Sequence, residues 1–544
     1  MIAKGQRMQQ VKPIPRRWWW RRWFLLPALV FAAVTLGARL WWGHVAHQRL
    51  AAQIDAIRQR GEPLTLREML PQPTPADEQT TRLYQEAVDL SPFADVRFKG
   101  PDGRRLRRLE NMAFDPMLSH ASFRQGHAAE LKEILDLSAP ALAKAHEAAG
   151  TGGRVLWPVD PDTAAFMMPL PPLGEYRPLA KIQRLSALAA HEAGDDAAAL
   201  ARVEDMLTLG DAFSRDKSWL ITHLVRVSID SLAAATVEEI APTLRVGQPG
   251  GASPEQVRRL AERLLDDQEL SHGLYLAFVG EQWFQYDILE RLRDGRMSLS
   301  SINQMQGPPE RTPAYQRPLL WLIEPMFALE EARVLEHMTG LVQSARQQNY
   351  PAAKSLQPAI VIQTHPIRQI SRLLSQILTP TLTRVFDLNY QCLAERRMAA
   401  LALAIRLYEL DKGARPAQLD QLVPQYLSAL PVDPYSAANK SFGYAPSAKP
   451  PLLYAVHTNG ADDSGAFTAW GSGIIAGAVN YDASADLPFF LDGQRPRGPV
   501  QWVDPTAEED GPPGPPPPGM PPFGEPIPAA PTTGSAPASR PVSG

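Results

Sequence analysis

The sequence predicts a mainly α fold: an N-terminal transmembrane helix, a large α-helical (helical-hairpin) domain, a small α+β module and a disordered, proline-rich tail. Three observations point there. Trp23 to Ala38 is a run of sixteen residues without a charge, extended past Arg39 by Leu40, Trp41 and Trp42. From Ser122 onward the chain reads as mainly helical, with apolar residues at spacings of three and four from Leu319 to Phe327 and again from Met398 to Tyr408, the period of a helix with a buried face. Only after Ser441 do short runs of aromatic and branched residues, bounded by turn residues, read as strands.

The N-terminal span comes first. A helix from Trp23 to Gly43 rises about 30 Å, the thickness of a hydrocarbon core. Trp18, Trp19 and Trp20 at one end and Trp41 and Trp42 at the other suit the two interfacial belts, and Arg39 is placed to snorkel toward the nearer interface. A cleaved signal peptide and a buried helix of a soluble protein are the alternatives. Large tryptophans stand where a small-x-small cleavage site belongs, and a buried helix explains neither the girdles nor the basic flank. Lys4, Arg7, Lys12, Arg16, Arg17, Arg21 and Arg22 precede the span, against Arg49, Arg58 and Arg60 just beyond it. The positive-inside rule therefore keeps residues 1–22 in the cytoplasm and sends residues 44–544 across a bacterial inner membrane.

The remaining chain of 544 residues is long enough for more than one domain. A net charge of −3 gives no reason to expect a nucleic-acid partner, which requires a basic surface. Cys392 is the single cysteine, so an intramolecular disulfide and a cysteine zinc site are excluded, and the thiol reads as a small buried hydrophobe. Residues 44–75 read as a polar stalk and a proline-punctuated linker.

Residues 76–378 read as the extracytoplasmic helical domain. Its helices are expected at Ala76 to Leu90, Phe123–Gly150, Pro178–Ala193, Asp196–Phe213, Ser218–Leu244, Ser253–Arg293 and Pro318–Gln347. Between the first two lies a loop-rich patch, Phe93 to Met117, whose basic run Arg104, Arg105, Arg107 and Arg108 reads as a solvated face. The pair around Gly194-Asp195 is similar to one tetratricopeptide unit, with no second copy at that period. Residues 379–495 hold a long helix with Thr379 as N-cap and Pro380 at its first position, ended by Gly413. A short helix from Pro416 to Tyr426 follows, then a hairpin of Ser441–Ala445 and Leu452–Val456, then a strand at Leu487–Leu491. Residues 505–544 contain fourteen prolines and six glycines, a composition that buries no core and is expected to be disordered.

The segment from about Ala394 to Leu491 resembles the C-terminal domain of the major pseudopilins of type II secretion. The resemblance rests on Tyr408, Asp411, Gly413 and Pro416, then Leu430, Pro431, Asp433, Pro434 and Tyr435, then Tyr444, Tyr454, Asn459, Gly460, Asp462, Asp463 and Gly465. It implies a helix leading to a β-hairpin and a calcium-bearing loop. The whole chain also resembles a group of bacterial single-pass membrane proteins of unassigned function, which share the RGEPLTL connector and this ending. A prepilin leader with its Gly-Phe junction is not seen, and the anchor lies more than 300 residues before the helix. Processing and polymerisation as a pilin are therefore not expected.

One loop offers chemistry. Asn459, Asp462 and Asp463 place three side-chain oxygens within five residues, and Asp433 in the preceding turn adds another. Ca²⁺ takes about six to eight oxygens on a flexible loop, so these four are the candidate metal ligands and Ca²⁺ the candidate cofactor. The alternative is a turn held by Asx bonds and left-handed backbone. Enzyme signatures fail. His146-Glu147 and His191-Glu192 lack a second histidine on the same helical face, and Ser214 with Lys217 lacks the companion motifs of that catalytic set. Gly471, Gly473 and Gly477 miss the dinucleotide spacing and open no helix. The aromatic group from Tyr275 to Tyr286 reads as core. His223, on an apolar helix, is the histidine whose surroundings are expected to perturb it.

The expectation is a non-enzymatic, membrane-anchored scaffold or interaction protein of the cell envelope, held in the lipid bilayer through residues 23–43 and bound to an envelope protein. The alternatives are an accessory component of a type II secretion system and an envelope hydrolase with an unsignalled site.

Overall fold

In the computed structural model the described residues are 17–493 without 71, 94–99, 116–117, 119–120, 158, 161–162, 169–172, 215–218, 299–310, 359–381, 468, 473–478 and 482–484. The expected N-cap pair Thr379 and Pro380, the Ser214–Lys217 motif and the tail 505–544 lie wholly or partly outside them. The protein is mainly helical. α1 (Arg17–Gln59) is followed by α2 (Leu66–Met69), α3 (Pro75–Asp89), α4 (Gly100–Ala113), α5 (Ala121–Gly126) and α6 (Ala128–Ala149). Then come α7 (Leu173–Ala193), α8 (Asp196–Ser214), α9 (Leu220–Ile240), α10 (Pro254–Leu265), α11 (Gln268–Arg293), α12 (Arg317–Ala345), α13 (Tyr350–Leu356) and α14 (Thr383–Lys412).

α1 has two halves. From Trp23 to Trp42 its large side chains lie bare, Phe31 at 73% exposure, whereas Leu50 is 4% exposed and Ile57 is fully covered. The second half is not the stalk expected of residues 44–75. Ala46, Leu50 and Ile57 pack with Leu64 onto Ala328, Ala332 and Leu335 of α12, and each large aliphatic buried there contributes about 1.5–3 kcal/mol. Arg39 also departs from expectation. Instead of reaching for lipid headgroups, its guanidinium donates to the Trp321 carbonyl oxygen (3.0 Å) and to Glu324 (3.1 Å), and lies 4.8 Å from the centre of the Trp321 ring. His47 approaches the other oxygen of Glu324 at 3.0 Å. The connector beyond is fixed by two capping boxes, Thr65 with Glu68 and Thr74 with Asp77.

The residues expected as a loop-rich basic patch include a helix, α4. Its Leu109, Met112 and Ala113 pack with Phe123, Leu131, Ile134 and Leu185 in a satellite core, and Arg105 pairs with Glu133 at 2.5 Å. α7 and α8 form the expected hairpin. Its turn is pinned by Asp196, whose oxygens accept from the backbone (2.7 Å) and side chain (2.8 Å) of Arg245 and contact His191. Two long helices are shorter than the periodicity implies. His127 separates α5 from α6, and Asp266-Asp267 separates α10 from α11.

α14 is the central helix. Nearly every side chain from Asn389 to Leu407 is buried, and it packs against α9, α10 and α13. Five alanines between positions 394 and 404 let these neighbours approach closely. Gly413, at φ 76°, takes the left-handed C′ conformation that ends it. Pro416 starts no α-helix; a single 3₁₀ turn, Leu419–Leu422, stands there.

β1 (Gly443–Ala445) and β2 (Leu452–Ala455) pair antiparallel, Tyr444 opposite Leu453. β5 (Leu487–Phe490) pairs antiparallel on the other edge of β2, giving the order β1-β2-β5. A separate antiparallel pair, β3 (Ala469–Ser472) with β4 (Val479–Tyr481), lies in the connection. The sheet is not a free-standing module. The same apolar core runs from Leu66 through α14 to Leu491, and β5 is buried on both faces. The Phe490 amide donates to Glu238 at the end of α9 (2.6 Å), and Arg415 donates to the Leu491 carbonyl oxygen (3.0 Å).

Candidate functional site

The four expected calcium ligands sit around the loop that joins β2 to β3, and their oxygens are engaged by the protein itself. Asp433 is buried at 1% exposure. Its Oδ1 accepts from the Tyr435 amide (2.9 Å) and its Oδ2 from the Val456 amide (2.8 Å), stapling the preceding turn to the end of β2. Asn459 accepts from the Ala461 amide (3.0 Å) and donates to Asp463 (3.0 Å), and Asp462 accepts from the Ser464 amide (2.9 Å). Gly460 (φ 69°) and Gly465 (φ 80°) supply the left-handed positions. This is the turn chemistry named above as the alternative. Among the described residues no group of three or more His, Cys, Asp or Glu side chains is placed to hold a metal ion.

Sequence reasoning missed the residue that organises this loop. Asp486, fully buried just before β5, accepts from the amides of Asp463 (3.1 Å) and Gly465 (2.8 Å) through Oδ2. Its Oδ1 is buried without a hydrogen bond among the described residues. Burial pushes the Asp486 carboxyl above the usual carboxylate range, opposed by the Gly465 and Asp463 amides; burial does the same to Asp433 against its own amide bonds. The only sequence signal was a lone acid ahead of a wholly apolar strand.

The densest charge lies elsewhere, inside the helical body. Arg226 and Asp230 of α9, Asp211 of α8 and Arg396 of α14 are all buried. Arg226 reaches Asp211 (2.6 Å) and Asp230 (3.4 Å), and Arg396 reaches the same Asp230 oxygen at 2.8 Å. Arg263 of α10 closes onto Asp211. Arg396 also donates to the carbonyl oxygens of Arg263 (2.9 Å), Leu264 (3.3 Å) and Asp266 (2.8 Å), so a side chain of α14 caps the C-terminus of α10. Gly210 makes room: a Cβ there would lie 2.7 Å from Asp230 Oδ1.

His223, one turn before Arg226, is fully buried with Nε2 at 3.0 Å from Asn389 Oδ1. Burial, reinforced by the neighbouring Arg226 charge, pushes its pKa down to about 3, so the ring is neutral. Burial likewise pushes the Cys392 thiol up, away from reactivity. The remaining histidines of the failed motifs are structural. His146 meets Asp205 at 2.9 Å, and His191 bridges Asp196 and Thr243. Trp283 packs on Trp219 and Phe278 stacks on Phe386, so both are core, as expected of that aromatic group.

A shallow cleft, with room for little more than a water molecule, opens between Glu238, Ile405, Arg406, Glu409, Arg415 and Phe490. Its charges are already matched: Arg415 to Glu409 (2.6 Å), Arg406 to the Leu244 carbonyl oxygen (2.9 Å) and Glu238 to the Phe490 amide. It is the seam where the sheet docks, with no unpaired nucleophile beside a base. α9 is apolar and long enough to cross a membrane, but it lies mostly buried in the body; the exposed α1 is also long and apolar enough. The chain matches no protein-family model, no curated protein and no solved structure. The resemblance to pseudopilins therefore rests on its short motifs alone.

Proposed function

We propose that the protein is a single-pass, membrane-anchored scaffold of the bacterial cell envelope, with α1 crossing the inner membrane and the helical body displayed on the far side for a protein partner. The observation that carries this reading is the division of α1 into an apolar half left bare from Trp23 to Trp42 and a half packed onto α12. A helix bare over about 30 Å of apolar side chains has lipid as its natural surroundings. Its continuous backbone and the Arg39–Glu324 ion pair would hold the body at a fixed attitude to the membrane. The basic flank supports a cytoplasmic N-terminus.

Charging the middle of the span tests the anchor. Each arginine at a helix centre costs about 2.5–3.5 kcal/mol of insertion, so Val30→Arg with Val34→Arg should move the chain from the carbonate-resistant membrane pellet into the soluble fraction. Retention in the pellet would overturn the anchor. A C-terminal reporter active only outside the cytoplasm is the expected topology, and crosslinking in native membranes should recover a stoichiometric envelope protein.

A further inference from the structure

The bare surface of α1 continues onto a second element. α12 runs alongside α1 in the same direction: Arg39 meets Trp321 and Glu324, Gly43 lies against Pro325, and Arg60 bonds Thr339 at 3.1 Å. The first turns of α12 are therefore level with residues 35–40 of α1. Leu319 stands about 9 Å inside the Gly43 end of the span, at 1.5 Å of rise per residue. These turns expose Leu319 (60%), Trp321 (50%) and Leu322 (45%), and Tyr315 (80%) stands in the 3₁₀ turn just before them. From Thr312 to Ile323 the chain carries one charge, Arg317. The inner side of the same turns is anchored in protein, with Leu320 and Ile323 packed against the main core.

We infer that the first turns of α12, at Leu319, Trp321 and Leu322, are embedded in the outer leaflet of the same bilayer that α1 crosses, as a second membrane contact. The inference rests on the anchor reading above. Tryptophan favours the region near the headgroups, and leucines beside it favour the acyl boundary. The other exposed large apolar residues, such as Leu137 and Leu356, stand singly along the chain, so the patch is not general surface character. Continuity with the apolar half of α1 through the Arg39–Trp321 contact identifies the occupant as lipid.

The test places an environment-sensitive fluorophore on the full chain in vesicles of phosphatidylethanolamine and phosphatidylglycerol. The label goes through Leu319→Cys or Leu322→Cys; the natural Cys392 is buried and does not compete. Leu29→Cys reports the span and Leu356→Cys reports water. The expected result is a blue-shifted label at both α12 positions that loses emission to shallow doxyl lipid and is protected from aqueous iodide, with Leu356→Cys showing the reverse. Iodide quenching at Leu319→Cys and Leu322→Cys equal to that at Leu356→Cys, while Leu29→Cys remains lipid-quenched, overturns this inference and leaves the anchor standing. A Leu29→Cys label that lipid does not quench overturns both.

Discussion

Two groups of buried carboxylates in this protein are answered in two different ways. Inside the helical body, Asp230 and Asp211 face the guanidinium groups of Arg226, Arg263 and Arg396. Beside the sheet, Asp433 and Asp486 face backbone amides. The contrast is one of charge against dipole. A carboxylate among arginines leaves a buried cation behind when its charge is removed. A carboxylate held by amides, with burial pushing its pKa up, loses little when its charge is removed, because a carbonyl oxygen accepts the same bonds.

The same substitution should therefore cost much in one region and little in the other. Asp230→Asn removes the charge shared by Arg226 and Arg396, both at 1% exposure. Breaking a buried pair of this kind costs about 3–5 kcal/mol, and the disturbance reaches α8, α9, α10 and α14 together. The urea midpoint of the detergent-solubilised chain should fall steeply, or the folded state should not be recovered. A loss under about 1 kcal/mol would show that the arginines do not depend on Asp230 and would erase the comparison.

How much of this was legible in the sequence follows from what makes each element. Helices with a full apolar stripe and a boundary residue were legible: Ser253-Pro254 starts α10, Gly194 turns α7 into α8, and Gly413 ends α14. The β1–β2 hairpin and β5 were legible from short aromatic and branched runs. The break between α10 and α11 was not, because its cause is distant in sequence: Arg396 caps the carbonyl oxygens of α10 from another helix. The docking of α1 on α12 was hidden for the same reason. Polar residues such as His47 and Arg60 look like a solvated stalk until Glu324 and Thr339 are brought to them by the fold. At the loop, Asn459, Asp462 and Asp463 were legible as turn residues. Asp486, the acid that ties the loop down, lies more than twenty residues away in sequence. His223 was singled out by its apolar helix, and the burial that perturbs it is the expected one.

His223 sharpens the comparison from the basic side, since it is buried beside Arg226 with Asn389 as its side-chain partner. Its folded pKa, about 3, lies below the unfolded value of about 6.5. Below pH 6.5 the unfolded chain takes up a proton that the folded chain refuses, so stability is fully present above pH 6.5 and falls as the pH drops toward 3. The contribution is about 1.4 kcal/mol per pH unit. Between pH 7 and 5 the wild type should therefore lose more stability than His223→Gln, which cannot titrate. The slopes of urea midpoint against pH carry the result, because the midpoint at one pH also contains the packing cost of the substitution. Parallel slopes would mean that water reaches the ring and that this end of α9 is open.

Asp486→Asn is the smallest effect and the most discriminating. The asparagine's amide oxygen, turned to the place of Oδ2, can still accept from the amides of Asp463 and Gly465, and the substitution removes a carboxylate that burial already disfavours. Because the folded pKa is raised, the wild type gains stability as the pH falls from its folded pKa toward the unfolded value, and the asparagine variant lacks that gain. Near neutral pH the two should differ by no more than about 1 kcal/mol, the scale of one rearranged hydrogen bond. Millimolar Ca²⁺ should leave the thermal midpoint of both unchanged. An ion bound only by the folded state at one hundred times its Kd would add about 2.7 kcal/mol and raise the midpoint plainly. A calcium-dependent rise in the wild type that disappears in Asp486→Asn would mean that the buried Oδ1 holds a cation, and the loop would then belong with Asp230 as a carboxylate answered by charge.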